Sequence, residues 1–316
     1  MMEMADGEPP GQGRQAVVAD LLLLITALVW GFGFVAQRAG MEYVGPFTFN
    51  GIRFLLGGFC LLPLAMSRDL RPGHVRSWSA SPFVAGAIAG IALFCGASLQ
   101  QIGLLYTTAG KAGFITGLYV IFVPLLGLLL GQKTGRGTWI GALLAAVGMY
   151  LLSMRGDFTM ARGDLLVLAG AVCWAVHVLV LGHFSPRTGT LFLAVIQFVF
   201  CGLFSLVVAL LFEEISWSGI YAALVPILYG GLGSVGIGYT LQTVAQKWAH
   251  PAHASILLSL EAVFAALGGW WLLDEVLSVR ALTGCALMLT GMVFSQVYSL
   301  RRQGPAGRNR YLGKME

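Results

Sequence analysis

Glu261 stands inside an apolar run, Ser259-Leu-Glu261-Ala-Val-Phe264. About ten residues into a membrane span, at 1.5 Å per residue, it would lie about 15 Å deep, near the bilayer midplane. A carboxylate there is costly unless it faces a cavity or a partner. It could recognise a cationic group on a substrate, or take and release a proton. The plain alternative is a structural hydrogen bond to a neighbouring helix. Arg53, about seven residues into an earlier span, carries the opposite charge. Its guanidinium stays protonated and suits a substrate carboxylate through two parallel hydrogen bonds. Pairing with a cavity acid, or snorkelling outward, are its alternatives.

Trp30 and Trp174 fall mid-span, away from the interfacial belts where tryptophan collects. Either could stack on a flat substrate portion or on a cation, or simply pack. His177, three residues after Trp174, shares its helix face and could titrate near neutral pH or act as a hydrogen-bonded packing residue. Gln100, Gln101, Gln242 and Tyr119 offer hydrogen bonds to a zwitterion, or helix-to-helix bonds.

Other patterns carry no chemistry. Gly231-Leu-Gly233-Ser-Val-Gly236 matches a dinucleotide fingerprint in letters, but no acid follows until Glu261 and the 215–246 stretch is uncharged. Its glycines read as close helix contacts or bends. His250-Pro-Ala-His253 offers two imidazoles and no third metal ligand. The five cysteines are scattered through apolar runs and suggest neither disulfides nor a metal. No hydrolase or phosphate-loop motif occurs, so the residues point to no enzyme, no cofactor and no metal. Nothing resembles a basic nucleic-acid-binding face.

The elements that must position these groups follow from composition. The 316 residues are 57% hydrophobic and only 10% charged, with 43 glycines. That balance argues against a soluble enzyme and against disorder, and leaves a polytopic membrane protein. Cutting at charged and turn-forming clusters yields ten helical spans, near 18–38, 46–66, 82–105, 111–131, 137–154, 164–184, 188–211, 219–247, 251–272 and 279–299. Residues 1–16 read as a disordered cytoplasmic tail and 300–316 as a basic cytoplasmic tail. With the N-terminus inside, the cytoplasmic segments hold Arg14, Arg68, Arg71, Arg76, Lys133, Arg136, Arg187, Lys247, Arg301, Arg302, Arg308, Arg310 and Lys314. The opposite side holds Arg38, Lys111, Arg155, Arg162 and Arg280. This excess places both termini in the cytoplasm.

The halves repeat. An offset of 144 sets Asp20 on Asp164, Trp30 on Trp174, Arg53 on Gln197 and Gly58 on Gly202. An offset of 142 sets Gln100 on Gln242 and Tyr119 on Glu261, and one of 143 sets Gly141 on Gly284 and Gly148 on Gly291. The repeats are 17–155 and 162–299. Five spans is an odd number, so the second copy enters from the other side. The expected fold is all-α, ten transmembrane helices as two inverted-topology repeats of five. The glycines seven apart in spans 5 and 10 share a face and offer a homodimer surface.

Ala27-Leu-Val-Trp30-Gly31, Ser259-Leu-Glu261-Ala-Val-Phe264-Ala-Ala-Leu-Gly268 and Leu273-Asp-Glu275, with Gly284 and Gly291, resemble the drug/metabolite transporter superfamily, specifically its ten-helix EamA-type members. The chain departs from the pattern at Ala262, where members often carry proline, and at Gln132-Lys133, where a glutamate often closes the fourth span. The resemblance implies alternating-access transport of small metabolites, commonly export of amino acids, through a cavity formed by spans 1–4 and 6–9. The expected partners are a small-molecule substrate and the lipid bilayer of the inner or plasma membrane, with a proton gradient or plain facilitated diffusion as the driving force. A flippase for a lipid-linked intermediate is the alternative transporter. A membrane-embedded lipid-modifying enzyme is the alternative from another class.

Overall fold

The computed structural model describes residues 12–69, 79–107, 109–153, 162–272 and 278–302. Asp274, Glu275, Arg71, Arg76, Arg155 and the tails at 1–11 and 303–316 lie outside the described residues. Among those described, every regular element is helical. The first half holds α1 (Gln12–Gly40), α2 (Pro46–Arg68), α3 (Pro82–Gly103), α4 (Ala109–Gly117), α5 (Tyr119–Leu129) and α6 (Arg136–Ser153). The second holds α7 (Arg162–Phe184), α8 (Thr190–Phe212), α9 (Trp217–Ala222), α10 (Leu224–Leu228), a π-helical stretch Tyr229–Tyr239, α11 (Thr240–Ala245), α12 (Pro251–Leu258), α13 (Glu261–Leu272) and α14 (Val279–Arg302).

Seven stretches among the described residues are long and apolar enough to cross a bilayer. They are Gln15–Gly40, Pro46–Arg68, Pro82–Gly103, Ala112–Leu129, Arg162–Arg187, Thr190–Phe212 and Leu224–Ala245. Pro251–Ala265 and Val279–Ser295 are apolar but shorter. The exterior is apolar too. On α1, Val17, Leu21, Ile25 and Leu28 are exposed at helical spacing, while Ala19, Leu23 and Ala27 are buried on the other side. A helix apolar all round is what a lipid solvent permits.

The most extensive helix contacts join the two halves: α6 with α14, α2 with α8, and α3 with α7. Glycine sets their closeness. A Cβ built on Gly141 would meet the Gly291 carbonyl at 2.8 Å, and one on Gly148 the Gly284 carbonyl at 2.6 Å. The glycines expected to form a homodimer surface are therefore occupied inside the chain, where α6 and α14 cross antiparallel with backbone against backbone. Such a face accepts any helix of matching shape, and the neighbour within the chain is always nearby.

α2 and α8 also run antiparallel, and each caps the other. Their own N-caps, Gly45 and Gly189, have no side chain to offer. Glu213, just past the end of α8, accepts hydrogen bonds from Phe47 N at 2.8 Å, Thr48 N at 2.7 Å and Thr48 Oγ1 at 2.7 Å. Asp69, just past the end of α2, accepts from Leu191 N at 2.7 Å and Phe192 N at 3.0 Å. Acceptors and donors all obey the 144 offset: 69 with 213, 47 with 191, 48 with 192. The carboxylates satisfy orphan amides at the positive ends of both helix dipoles.

Candidate functional site

Two helices break at matched places. Between α4 and α5, Leu118 N donates to Ile115 O, and between α12 and α13, Leu260 N donates to Leu257 O, both at 3.2 Å. These are tightened i→i−3 bonds in otherwise α-helical spans. The residue pairs differ by 142. In the second half Ser259 Oγ donates to Ile256 O at 2.8 Å, so a hydroxyl competes with the backbone ladder there. The first residue after each break is Tyr119 or Glu261. Both are buried, and Tyr119 Oη donates to Glu261 Oε1 at 3.3 Å.

That pair lines a cavity with Trp30, Phe34, Gln37, Gln100, Thr116, Trp174, Val178, Ser234, Tyr239, Gln242 and Leu258. The space open to the centre of a water is about 30 Å³, room for a water or two. Gln100 is its polar hub. Its Oε1 accepts from Trp174 Nε1 at 2.9 Å and Thr116 Oγ1 at 3.3 Å, and its Nε2 donates to Gln37 Oε1 at 3.1 Å. Gln37 Nε2 donates to the Gly33 carbonyl at 3.2 Å.

Aromatic rings form much of the remaining lining. Tyr239 stacks on Trp174 with centroids 5.9 Å apart and lies 4.5 Å from Trp30, tilted. Trp30 Nε1 donates to the Ser234 carbonyl at 3.3 Å. The π-helical stretch makes this approach possible. Its glycines let α1 and α2 close on its backbone, and Gly238 leaves room for the Trp30 indole. Of the glycines in the dinucleotide-like pattern, Gly231 serves helix contact, where an added Cβ would meet Leu56 at 2.6 Å. Gly31 does the same on the other side of α1, where an added Cβ would meet Phe264 Cβ at 2.6 Å and the Glu261 carbonyl at 2.8 Å.

Six of the residues singled out from the sequence therefore meet at one cavity, as three repeat-related pairs: Trp30 with Trp174, Gln100 with Gln242, Tyr119 with Glu261. Three do not line it. Gln101 is buried beside it and donates to the Gln37 carbonyl at 3.3 Å. His177 holds Gln197 Oε1 at 2.8 Å through Nε2, with its ring edge toward Trp174 at 5.9 Å. Gln197 in turn donates to Thr243 Oγ1 at 3.2 Å, which makes this a packing network behind the wall.

Arg53 is only 1% exposed. Its Nε donates to Asn50 Oδ1 at 3.0 Å, and its guanidinium lies 4.8 Å from the Phe54 ring centroid and 5.4 Å from that of Phe49. It forms no ion pair with Glu261. Among the described residues its guanidinium thus lies against ring faces and an amide, with no carboxylate beside it.

Gln37, Tyr239, Thr116 and Ser234 escaped the sequence reading. Gln37 had a usable signal, a polar amide two turns after Trp30 in an apolar span. Tyr239 had none, because a tyrosine ending a glycine-rich stretch reads equally as packing. Outside the cavity, His253 Nε2 lies 2.9 Å from Asp20 Oδ1, joining α12 to α1.

Comparison with known proteins bears on this arrangement. The model of the EamA-like transporter family matches residues 17–154 and again 161–296. An uncharacterized transporter of Archaeoglobus fulgidus is 30% identical over 295 residues, covering 92% of this chain and 88% of its own length. The uncharacterized transporter YwfM of Bacillus subtilis is 28% identical, covering 87% and 93%. A solved crystal structure at 22% identity superposes with a TM-score of 0.73 over 90% of this chain and 99% of its own, a likeness of fold.

Proposed function

Since this chain belongs to the EamA-like transporter family, we propose that it is a secondary transporter that exports a small metabolite by alternating access around the cavity at Glu261. One observation carries the reading. Three residue pairs related by the repeat converge on a single cavity, and its carboxylate and phenol sit at the break points of two discontinuous helices. Discontinuous helices meeting where two repeats join are the usual setting of a transporter's midplane site.

In this reading the chain crosses the membrane ten times as two repeats, 17–155 and 162–299, of opposite orientation, with both termini cytoplasmic. The reciprocal caps of α2 and α8 and the antiparallel glycine crossing of α6 and α14 support the inversion. The cytoplasmic excess of Lys and Arg supports the orientation. Because the tightest contacts interlock the halves, access alternates through the broken helices α4–α5 and α12–α13, while the capped α2–α8 pair stays fixed. Glu261 carries the coupling proton when Tyr119 is its only partner.

Counterflow in proteoliposomes tests this. Exchange of at least one solute from a broad panel of amines, amino acids and sugars is expected, at rates above those of protein-free vesicles. Absence of any exchange across that panel overturns the proposal.

A further inference from the structure

Among the described residues the cavity wall contains one acid, Glu261, and no lysine, arginine or histidine. The two cationic candidates nearest in the sequence map are turned to other work, Arg53 to Asn50 and two phenylalanine rings, His177 to Gln197. Among the described residues the Glu261 carboxylate accepts one hydrogen bond, from Tyr119, and at 3.3 Å that bond is long. Gln242 adds a buried Oε1 with no hydrogen-bond partner. Among the described lining residues Glu261 is thus the one acidic acceptor, set among neutral amides and hydroxyls. Beside them stand the faces of Trp30, Trp174 and Tyr239.

We infer that the substrate of this site is an organic ammonium with a flat or apolar body and no carboxylate of its own. The inference rests on the transporter reading above and narrows its substrate class. An ammonium supplies the missing N–H donors to Glu261 and Gln242 and is attracted by the ring faces. A substrate carboxylate would meet no cation among the described lining residues and would oppose the ionised form of Glu261. The cavity thereby disfavours amino acids, the substrates most commonly implied for such a family. In the present conformation it holds a water or two, so an aromatic substrate enters only when the broken helices part.

Three probes of one skeleton decide the point: 2-phenylethylamine, phenylalanine (the same amine with a carboxylate) and 2-phenylethanol (the same body without charge). Binding is read on the purified full chain by thermal shift and by quenching of tryptophan fluorescence. The amine is expected to bind on the order of 100-fold more tightly than phenylalanine, the usual scale for leaving a charge uncompensated at such depth. It should also exceed the alcohol by about tenfold or more. Phenylalanine or the alcohol binding as tightly as the amine overturns the inference. Glu261→Gln should abolish the preference for the amine, whereas Tyr119→Phe, which keeps the carboxylate, should retain it. Loss of preference in Tyr119→Phe, or its retention in Glu261→Gln, counts against the inference. Counterflow separates the two readings. Exchange confined to acids defeats the ammonium class and leaves the transporter standing, while amine binding without exchange of any solute does the reverse.

Discussion

The reciprocal capping of α2 and α8 has a measurable energy. In Asp69→Ala two backbone amides, Leu191 N and Phe192 N, lose a charged acceptor, and in Glu213→Ala two amides and the Thr48 hydroxyl do. Bonds to charged groups contribute about 1.5–3 kcal/mol when well shielded. Both carboxylates are partly solvated, so about 1 kcal/mol per bond is the appropriate scale. That predicts losses of roughly 2 kcal/mol for Asp69→Ala and 3 kcal/mol for Glu213→Ala. At about 2 °C per kcal/mol for a chain of this size, the thermal midpoint in detergent should fall by about 4 °C and 6 °C. The amide variants Asp69→Asn and Glu213→Gln keep an acceptor and should lose about half as much. The two caps sit at opposite ends of a helix pair of 23 residues each, about 35 Å apart. The double alanine variant should therefore show the sum of the single losses. Binding at Glu261 should survive in all of them. A midpoint that does not move in either alanine variant, or a double variant no worse than the single ones, would refute the account of two independent clamps.

Three further outcomes are expected. Glu261→Gln should abolish transport driven by an imposed pH gradient in proteoliposomes, and full retention at normal expression removes Glu261 from the mechanism. Gly148→Leu forces side-chain atoms into the Gly284 carbonyl and Met288, which should cost about 1–3 kcal/mol or prevent assembly; an unchanged melting curve would show that α6 and α14 can separate freely. Arg53→Met replaces a buried guanidinium held by rings and one amide with a side chain of similar length, and it should leave affinity at the cavity within about threefold while shifting stability. A tenfold or greater loss of affinity would return Arg53 to the binding site.

The cavity was partly legible because rare groups in an apolar chain are conspicuous. Glu261, Tyr119, the two tryptophans and the matched glutamines stood out by type and by constant offset, and each lines the cavity. Arg53 and His177 stood out equally, yet they lie behind the wall. An intramembrane charge has to be compensated, but the compensating group can be a phenylalanine face or an amide, and sequence spacing does not say which. The glycines of α6 and α14 show the same ambiguity, since their spacing announces a close helix contact without naming the partner helix.

What the amino-acid order determined by itself is local or periodic: apolar runs that can exist only in lipid, a repeat offset of 142 to 144, and membership in a transporter family carried by short motifs. These follow from the solvent each residue tolerates and from the repetition of one family unit along the chain. Tertiary structure decided which groups meet: that Asp69 and Glu213 cap each other's helices, that Gly141 faces Gly291, and that Glu261 meets Tyr119 while Arg53 meets Asn50. All but the last of those contacts join residues more than 120 positions apart, and their geometry depends on helix crossings of close-packed backbones that no local pattern encodes.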